Sequence, residues 1–272
     1  MRSRGQITFD KKLSLSEELV ATGANNENLF LWNLRKGGAV TISDSGGRLF
    51  RARVTAIGKT SSTLLIFEDT GFKKNNLRVT LVQALPEKER MELIIQKTTE
   101  LLVHRIIPFK SEKSTTIEER DLKQKKSLRW KDIVLKAAKQ SRRPDMPEIL
   151  PYCQFKEALS CCDKTSLKIM LKQGSGLISL KEFLKGIPPF PKGAGLPRPM
   201  RKAWVPRQSI ATGSGGIIEA TILVGPEGGF SEEEVREAEK SGFTCVSLGS
   251  GILRTETAAI IGVGIMQYEL GD

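Results

Sequence analysis

The chain has 272 residues, 39% of them hydrophobic and 27% charged, ordinary values for a protein with one or two proper cores. Lys and Arg number 43 against 31 Asp and Glu, a net charge of +12, and such an excess favours a polyanionic partner because each phosphate neutralised releases counterions. The densest apolar run, Ala258–Met266, spans nine residues, against the roughly eighteen or more that a membrane helix needs. The opening MRSRGQITFDKK lacks the apolar core of a signal peptide, so a cytoplasmic protein with no membrane partner is expected. Cys153, Cys161, Cys162 and Cys245 form no CxxC pair, and His104 is the one histidine. Neither a metal site nor a Ser-His-Asp machine is expected from that inventory.

In chain order, residues 1–72 read as short strands broken by Gly, Asn and Asp turns: Ala39–Ile42, Arg48–Val54 and Thr63–Phe67. That texture predicts a small β-barrel. Arg51 and Arg53 share one strand face by the period of two, and Arg48 points the other way. From residue 73 to 272 strand and helix alternate, which predicts an α/β domain. Leu77–Leu85 reads as a strand. Glu87–Leu102 reads as a helix, with Met91, Ile94, Ile95, Thr98, Leu101 and Leu102 at helical spacing. A second helix is expected from about Ser127 to Ser141, with Trp130, Ile133, Val134, Ala137 and Ala138 on one stripe. Leu167–Leu171 and Ala220–Val224 are apolar runs of the kind parallel strands bury on both faces. The stretch 186–216 holds six prolines, six glycines, five Lys or Arg and no acidic residue, and reads as a basic insertion that either touches RNA or is an inert excursion.

Two glycine-rich turns carry the chemistry. Thr221–Val224 runs into Gly225-Pro226-Glu227-Gly228-Gly229-Phe230, and Ser231 with Glu234 has the spacing of a capping box, so a helix begins at Ser231. A strand, a glycine turn and a helix start usually make a phosphate cradle. Here Glu232, Glu233 and Glu234 fill the first helical turn, where their charge repels phosphate, and no GxGxxG or GxxxxGK[ST] is present. A phosphate-free ligand lying against bare backbone fits better than a phosphate, but the glycines alone favour a plain tight turn. The second turn, Leu248-Gly249-Ser250-Gly251-Ile252-Leu253, leads into Arg254 and a helix starting near Thr255. An arginine at the positive end of a helix is poorly placed for stability, which points to binding or catalysis, or else to a structural pair with Glu256.

LVGPEGGFSEEEV together with LGSGILRTETAA resembles the signature of the ribosomal small subunit methyltransferase E family, SPOUT-class enzymes. The segments Gln83–Pro86, Arg90–Leu101, Arg105–Pro108 and Ser111–Ser114 agree with it, as do Arg129-Trp130 and Ala137–Ser141. The resemblance implies a C-terminal α/β domain with a deep trefoil knot, an N-terminal PUA-like β-barrel and a homodimer. It implies S-adenosylmethionine as cofactor and methylation of uracil N3 in 16S ribosomal RNA, with that RNA or the small ribosomal subunit as partner. Leu171, Leu223, Gly225, Glu227, Gly229, Leu248, Gly249, Ile252 and Leu253 are then expected at the cofactor. Arg254 is expected to stabilise the uracil anion, with Glu227 or Glu256 accepting the proton. Arg51, Arg53, Arg90, Lys97, Lys113, Arg142 and Arg143 are expected at RNA. The chain departs from the family where Lys139 and Arg142 replace the usual Glu and Gly, and where Glu27-Asn28-Leu29 replaces a His-His-Leu-like stretch. A non-catalytic RNA-binding assembly factor of the same fold is the rival reading, and an enzyme using a phosphorylated nucleotide is a second.

Overall fold

The computed structural model describes residues 4–114, 129–162, 165, 167–174, 176–186 and 217–271; of the expected basic insertion, residues 187–216 lie outside these. Two units are distinct, one made of residues 1–75 and 131–148, the other of 76–130 and 149–272. The segment 131–148 thus goes with the N-terminal residues, where a single division after residue 72 was expected.

In the first unit, β1 (Glu18–Thr22), α1 (Gly23–Leu31), β2 (Ala39–Ser43), β3 (Arg48–Ile57) and β4 (Ser61–Lys73) follow one another. The strands form one antiparallel sheet in the order β1-β4-β3-β2. Alternation along β3 buries Phe50, Ala52 and Val54 with Leu64 and Ile66 of β4, and turns Arg51 and Arg53 outward. Helix α1 falls where only strands were expected. Its sequence, GANNENLFL, has little apolar period, and its asparagines fasten it instead. Asn26 Nδ2 donates to the Gly58 and Lys59 carbonyls, and Asn28 Nδ2 to the Gln6 carbonyl at 2.7 Å. The segment after α3 (Trp130–Gln140) is pinned by the Thr41 hydroxyl, which donates to the Arg142 carbonyl at 2.7 Å.

The second unit continues with β5 (Leu77–Ala84), α2 (Lys88–Glu100), β6 (Arg105–Lys110), the two-residue strands β7 (Glu148–Ile149) and β8 (Cys153–Gln154), and α4 (Phe155–Ser160). After these come β9 (Leu167–Leu171), β10 (Ile178–Ser179), α5 (Leu180–Lys185), β11 (Ile218–Val224), α6 (Glu232–Lys240), β12 (Thr244–Ser247) and α7 (Thr255–Leu270). The sheet order is β10-β12-β9-β11-β5-β6-β7, with β8 beside β6, and the strands from β10 to β6 run parallel. Period two sorts the strand side chains. Val82, Ala84, Phe109, Met170 and Leu223 join Phe155, Leu159, Ala238 and Phe243 in one buried cluster with α4 and α6. On the other face α7 lies against the sheet at Gly262, where an added Cβ would come within 3.0 Å of Leu171 Cδ1. Among the described residues no helix is long and apolar enough to cross a membrane.

Candidate functional site

Parallel strands deliver their carboxyl ends to one edge of the sheet, where loops leave room for a ligand. Here β9 ends at Leu171, β11 at Val224 and β12 just before Leu248, and the loops beyond them enclose a cleft of about 530 Å³. Its walls are Leu171–Gln173, Val224–Phe230, Leu248, Ile252–Thr255 and Ala258. The two glycine turns therefore face one another across a single site, mostly as apolar side chains and bare backbone.

Each turn is fixed locally. Gly229 has φ +68°, which favours glycine, and the aromatic ring of Phe230 closes over Gly225 so tightly that a Cβ there would stand 2.9 Å from Cε2. The α6 start is a complete capping box. The Ser231 hydroxyl accepts from the Glu234 N–H, and the Glu234 carboxylate accepts from the Ser231 N–H at 2.9 Å and the Glu112 N–H at 3.0 Å. With those two amides engaged and the Glu232 and Glu233 carboxylates beside them, this helix end is unfavourable to a phosphate. On the other side the Ser247 hydroxyl accepts from the Gly249 N–H at 3.1 Å, and Gln173 donates to the Gly251 carbonyl. The ends of β5, β11 and α7 are tied by a buried chain. Gln83 Nε2 donates to the Ala84 carbonyl at 2.9 Å and to Thr255 Oγ1 at 3.0 Å, and the Thr255 hydroxyl donates to the Gly225 carbonyl at 2.7 Å.

Of the expected cofactor residues, Leu171, Gly225, Glu227, Gly229, Leu248, Ile252 and Leu253 line the cleft. Leu223 does not; its place on β11 turns it into the core cluster on the opposite face of the sheet. Gly249, at φ +141° with nothing within 4 Å of a built Cβ, is also outside the lining. Arg254 is exposed at the cleft lip, on the residue before the first turn of α7. The two carboxylates part company. Glu227 lines the cleft and pairs with Arg90 at 2.5 Å, a contact that holds the Arg90 guanidinium above its usual range. Glu256 is buried, lies outside the lining, and has an Oε2 with no hydrogen-bond partner among the described residues.

The expected RNA cations are largely engaged within the chain. Arg143 is only 3% exposed and its guanidinium holds Asp145 at 2.8 Å, so it is buried within the fold. Lys97 pairs with Glu100 at 3.0 Å, Arg142 with Glu68 at 3.7 Å, and Lys113 Nζ donates to the Gly228 carbonyl at 3.3 Å. Arg51 donates to Thr41 Oγ1 at 2.9 Å, and burial, then the charge of Arg142, pushes its guanidinium below the usual range. Arg53 is exposed, its guanidinium 5.4 Å from the ring centroid of Phe67. Sequence reasoning missed Gln83 and Thr255. The signal for Gln83 was present: it is the one amide in the apolar run Leu77–Leu85.

Residues 73–190 and 201–267 match the model of the RNA methyltransferase domain. Over 239 residues the chain is 28% identical to ribosomal RNA small subunit methyltransferase E of Bacillus subtilis (strain 168), covering 87% of this chain and 84% of that protein. The protein of the same name from Aquifex aeolicus (strain VF5) is 31% identical, with 81% of each chain covered. The crystal structure of a ribosomal RNA small subunit methyltransferase E from Neisseria gonorrhoeae bound to S-adenosyl methionine superposes with a TM-score of 0.59 at 27% identity, covering 98% of each chain. A parallel sheet with a glycine-walled cleft at its carboxyl edge, and a family match over most of the chain, define an RNA methyltransferase. Within that class, the chain belongs to the ribosomal RNA small subunit methyltransferase E family.

Proposed function

We propose that the chain transfers a methyl group from S-adenosylmethionine to N3 of a uridine in 16S ribosomal RNA, acting in the cytoplasm as a homodimer on RNA or the small subunit. The single observation that carries this reading is the convergence of both glycine turns and Arg254 on one cleft. The cleft fits the cofactor. Its volume lies within the few hundred to about 1,000 Å³ typical of small-ligand sites, its walls are mostly apolar, and the neighbouring helix start is acidic, with the Ser231 and Glu234 amides bonded to side chains. Leu171, Gly225, Gly229, Leu248, Ile252 and Leu253 would hold the ligand through backbone groups and apolar contact, with Leu223 supporting from the core and Gly249 shaping the loop. Bound there, S-adenosylmethionine supplies an activated methyl group on sulfur. The reading carries with it a knotted C-terminal domain and a PUA-like barrel, with the N-terminal residues gripping RNA.

Methylation at N3 requires that nitrogen to give up its proton, so charge builds on the uracil ring. Arg254, exposed at the cleft lip, is the guanidinium assigned to stabilise that charge. Glu227 is the carboxylate positioned to take the proton, because it lines the cleft and Glu256 does not. Its pairing with Arg90 orients it. The test is single-turnover methylation of purified small subunits, run beside cofactor calorimetry. Arg254→Ala is expected to slow the step by about 10²–10³, or ~2.7–4 kcal/mol of barrier, with cofactor affinity nearly unchanged. Arg254→Lys should recover only part of the rate, since a point charge lacks the guanidinium fork. RNA binding without methyl incorporation by the intact chain would identify an assembly factor instead.

A further inference from the structure

We propose that Gln83 and Thr255 are positioning residues, a polarised hydrogen-bond relay that holds the two glycine turns of the cleft in register; this rests on the cofactor reading above. The relay's direction follows from chemistry. The Ala84 carbonyl can only accept, so the group facing it at 2.9 Å must be the Gln83 NH₂ and not its oxygen. The same nitrogen faces Thr255 Oγ1 at 3.0 Å, so the hydroxyl accepts there and must spend its one proton elsewhere. The Gly225 carbonyl, 2.7 Å away, takes it. Gln83 is completely buried and Thr255 is 5% exposed, so water has little access to the bonds between them.

What the relay joins gives it a role beyond packing. Gly225 opens the first turn and Thr255 follows Arg254 directly, and all three residues line the cleft. The Thr255 hydroxyl links the two turns directly, from the start of α7 to the end of β11. Loosening it lets the Gly225 carbonyl and the start of α7 drift apart. That moves the backbone the ligand lies on and the side chain at the lip together.

The experiment measures S-adenosylmethionine binding by calorimetry, and single-turnover methylation at saturating cofactor, on the full chain. Thr255→Val keeps the shape and removes the hydroxyl; Gln83→Met keeps the length and removes the donor. Each is expected to weaken binding by about tenfold, the scale of one buried hydrogen bond, and to slow methylation even at saturation. Thr255→Ser should recover most of the affinity that Thr255→Val loses, and the double variant should bind no more weakly than the worse single one. Additive losses overturn the proposal, as does a serine variant no better than valine, or a lowered Tm with binding and rate intact. Should Gln83→Met fail to fold, the valine and serine pair at position 255 decides by itself. A native chain that binds no S-adenosylmethionine overturns the cofactor reading and the relay with it; native binding with undiminished affinity in the folded variants overturns the relay alone.

Discussion

Arg142 occupies a glycine's conformation. Its φ is +55°, left-handed, and the carbonyl it presents is held by Thr41. Left-handed backbone costs a residue with a Cβ about 1–2 kcal/mol, and the surface pair with Glu68 returns little of it. Arg142→Gly is therefore expected to raise stability by about 0.5–1 kcal/mol in urea unfolding. Gly225 makes the opposite case: its φ is not the constraint, but Phe230 fills the space where a Cβ would go. Gly225→Ala should cost about 1–3 kcal/mol, typical of overpacking, and should weaken cofactor binding because the displaced ring lines the same cleft. Among the thiols, burial pushes Cys162 and Cys153 up to about 11, whereas Cys161 is exposed. The thiolate is the reactive form, so at pH 8 only on the order of one part in a thousand of either raised thiol is available. Alkylation at pH 8 followed by peptide mapping should find Cys161 modified first and Cys162 protected until the chain unfolds.

At the scale of elements, periodicity and capping were legible. Leu77–Ala84, Lys88–Glu100 and Trp130–Gln140 fall within the segments that alternation or helical spacing marked, and Ser231 is the cap its spacing to Glu234 announced. Ser231→Ala should cost about 1 kcal/mol in thermal or urea unfolding. It should also loosen the loop at Glu112, which shares the Glu234 carboxylate. Helix α1 was not legible. Its amide anchors sit 22 to 33 residues away in sequence, at Gln6, Gly58 and Lys59, so no local pattern records them. The same holds for the site's electrostatics. Gly225, Leu248 and Arg254 announce themselves in turn motifs, whereas Arg90 reaches Glu227 across 137 residues and read, in isolation, as one more basic side chain on a helix.

For the whole molecule, the net charge of +12 says that phosphate is attractive, and the ion pairs say which cations remain to meet it. Arg90, Lys97, Arg142 and Arg143 are each committed to a carboxylate, whereas Arg53 is exposed over an aromatic ring. RNA affinity followed by fluorescence anisotropy should fall linearly with the logarithm of salt concentration. Arg53→Ala should reduce that slope by about one if its guanidinium meets a phosphate. Arg143→Ala should leave the slope alone and instead destabilise the fold by on the order of 3 kcal/mol, because it removes a buried guanidinium and its ion pair with Asp145.

The position of β11 between β9 and β5 sets an order of events for a chain leaving the ribosome. β5 and β6 emerge early and can pair, but the strand that covers the other edge of β5 lies about 130 residues further on. At ~5–20 residues per second, that edge stays bare for roughly ten seconds. It belongs to a strand most of whose side chains are buried in the finished protein, and an uncovered apolar edge templates association with other chains. A fragment ending at residue 217 should therefore sediment as aggregate and not persist as a smaller folded domain, and supplying residues 218–272 in trans during refolding should recover part of it.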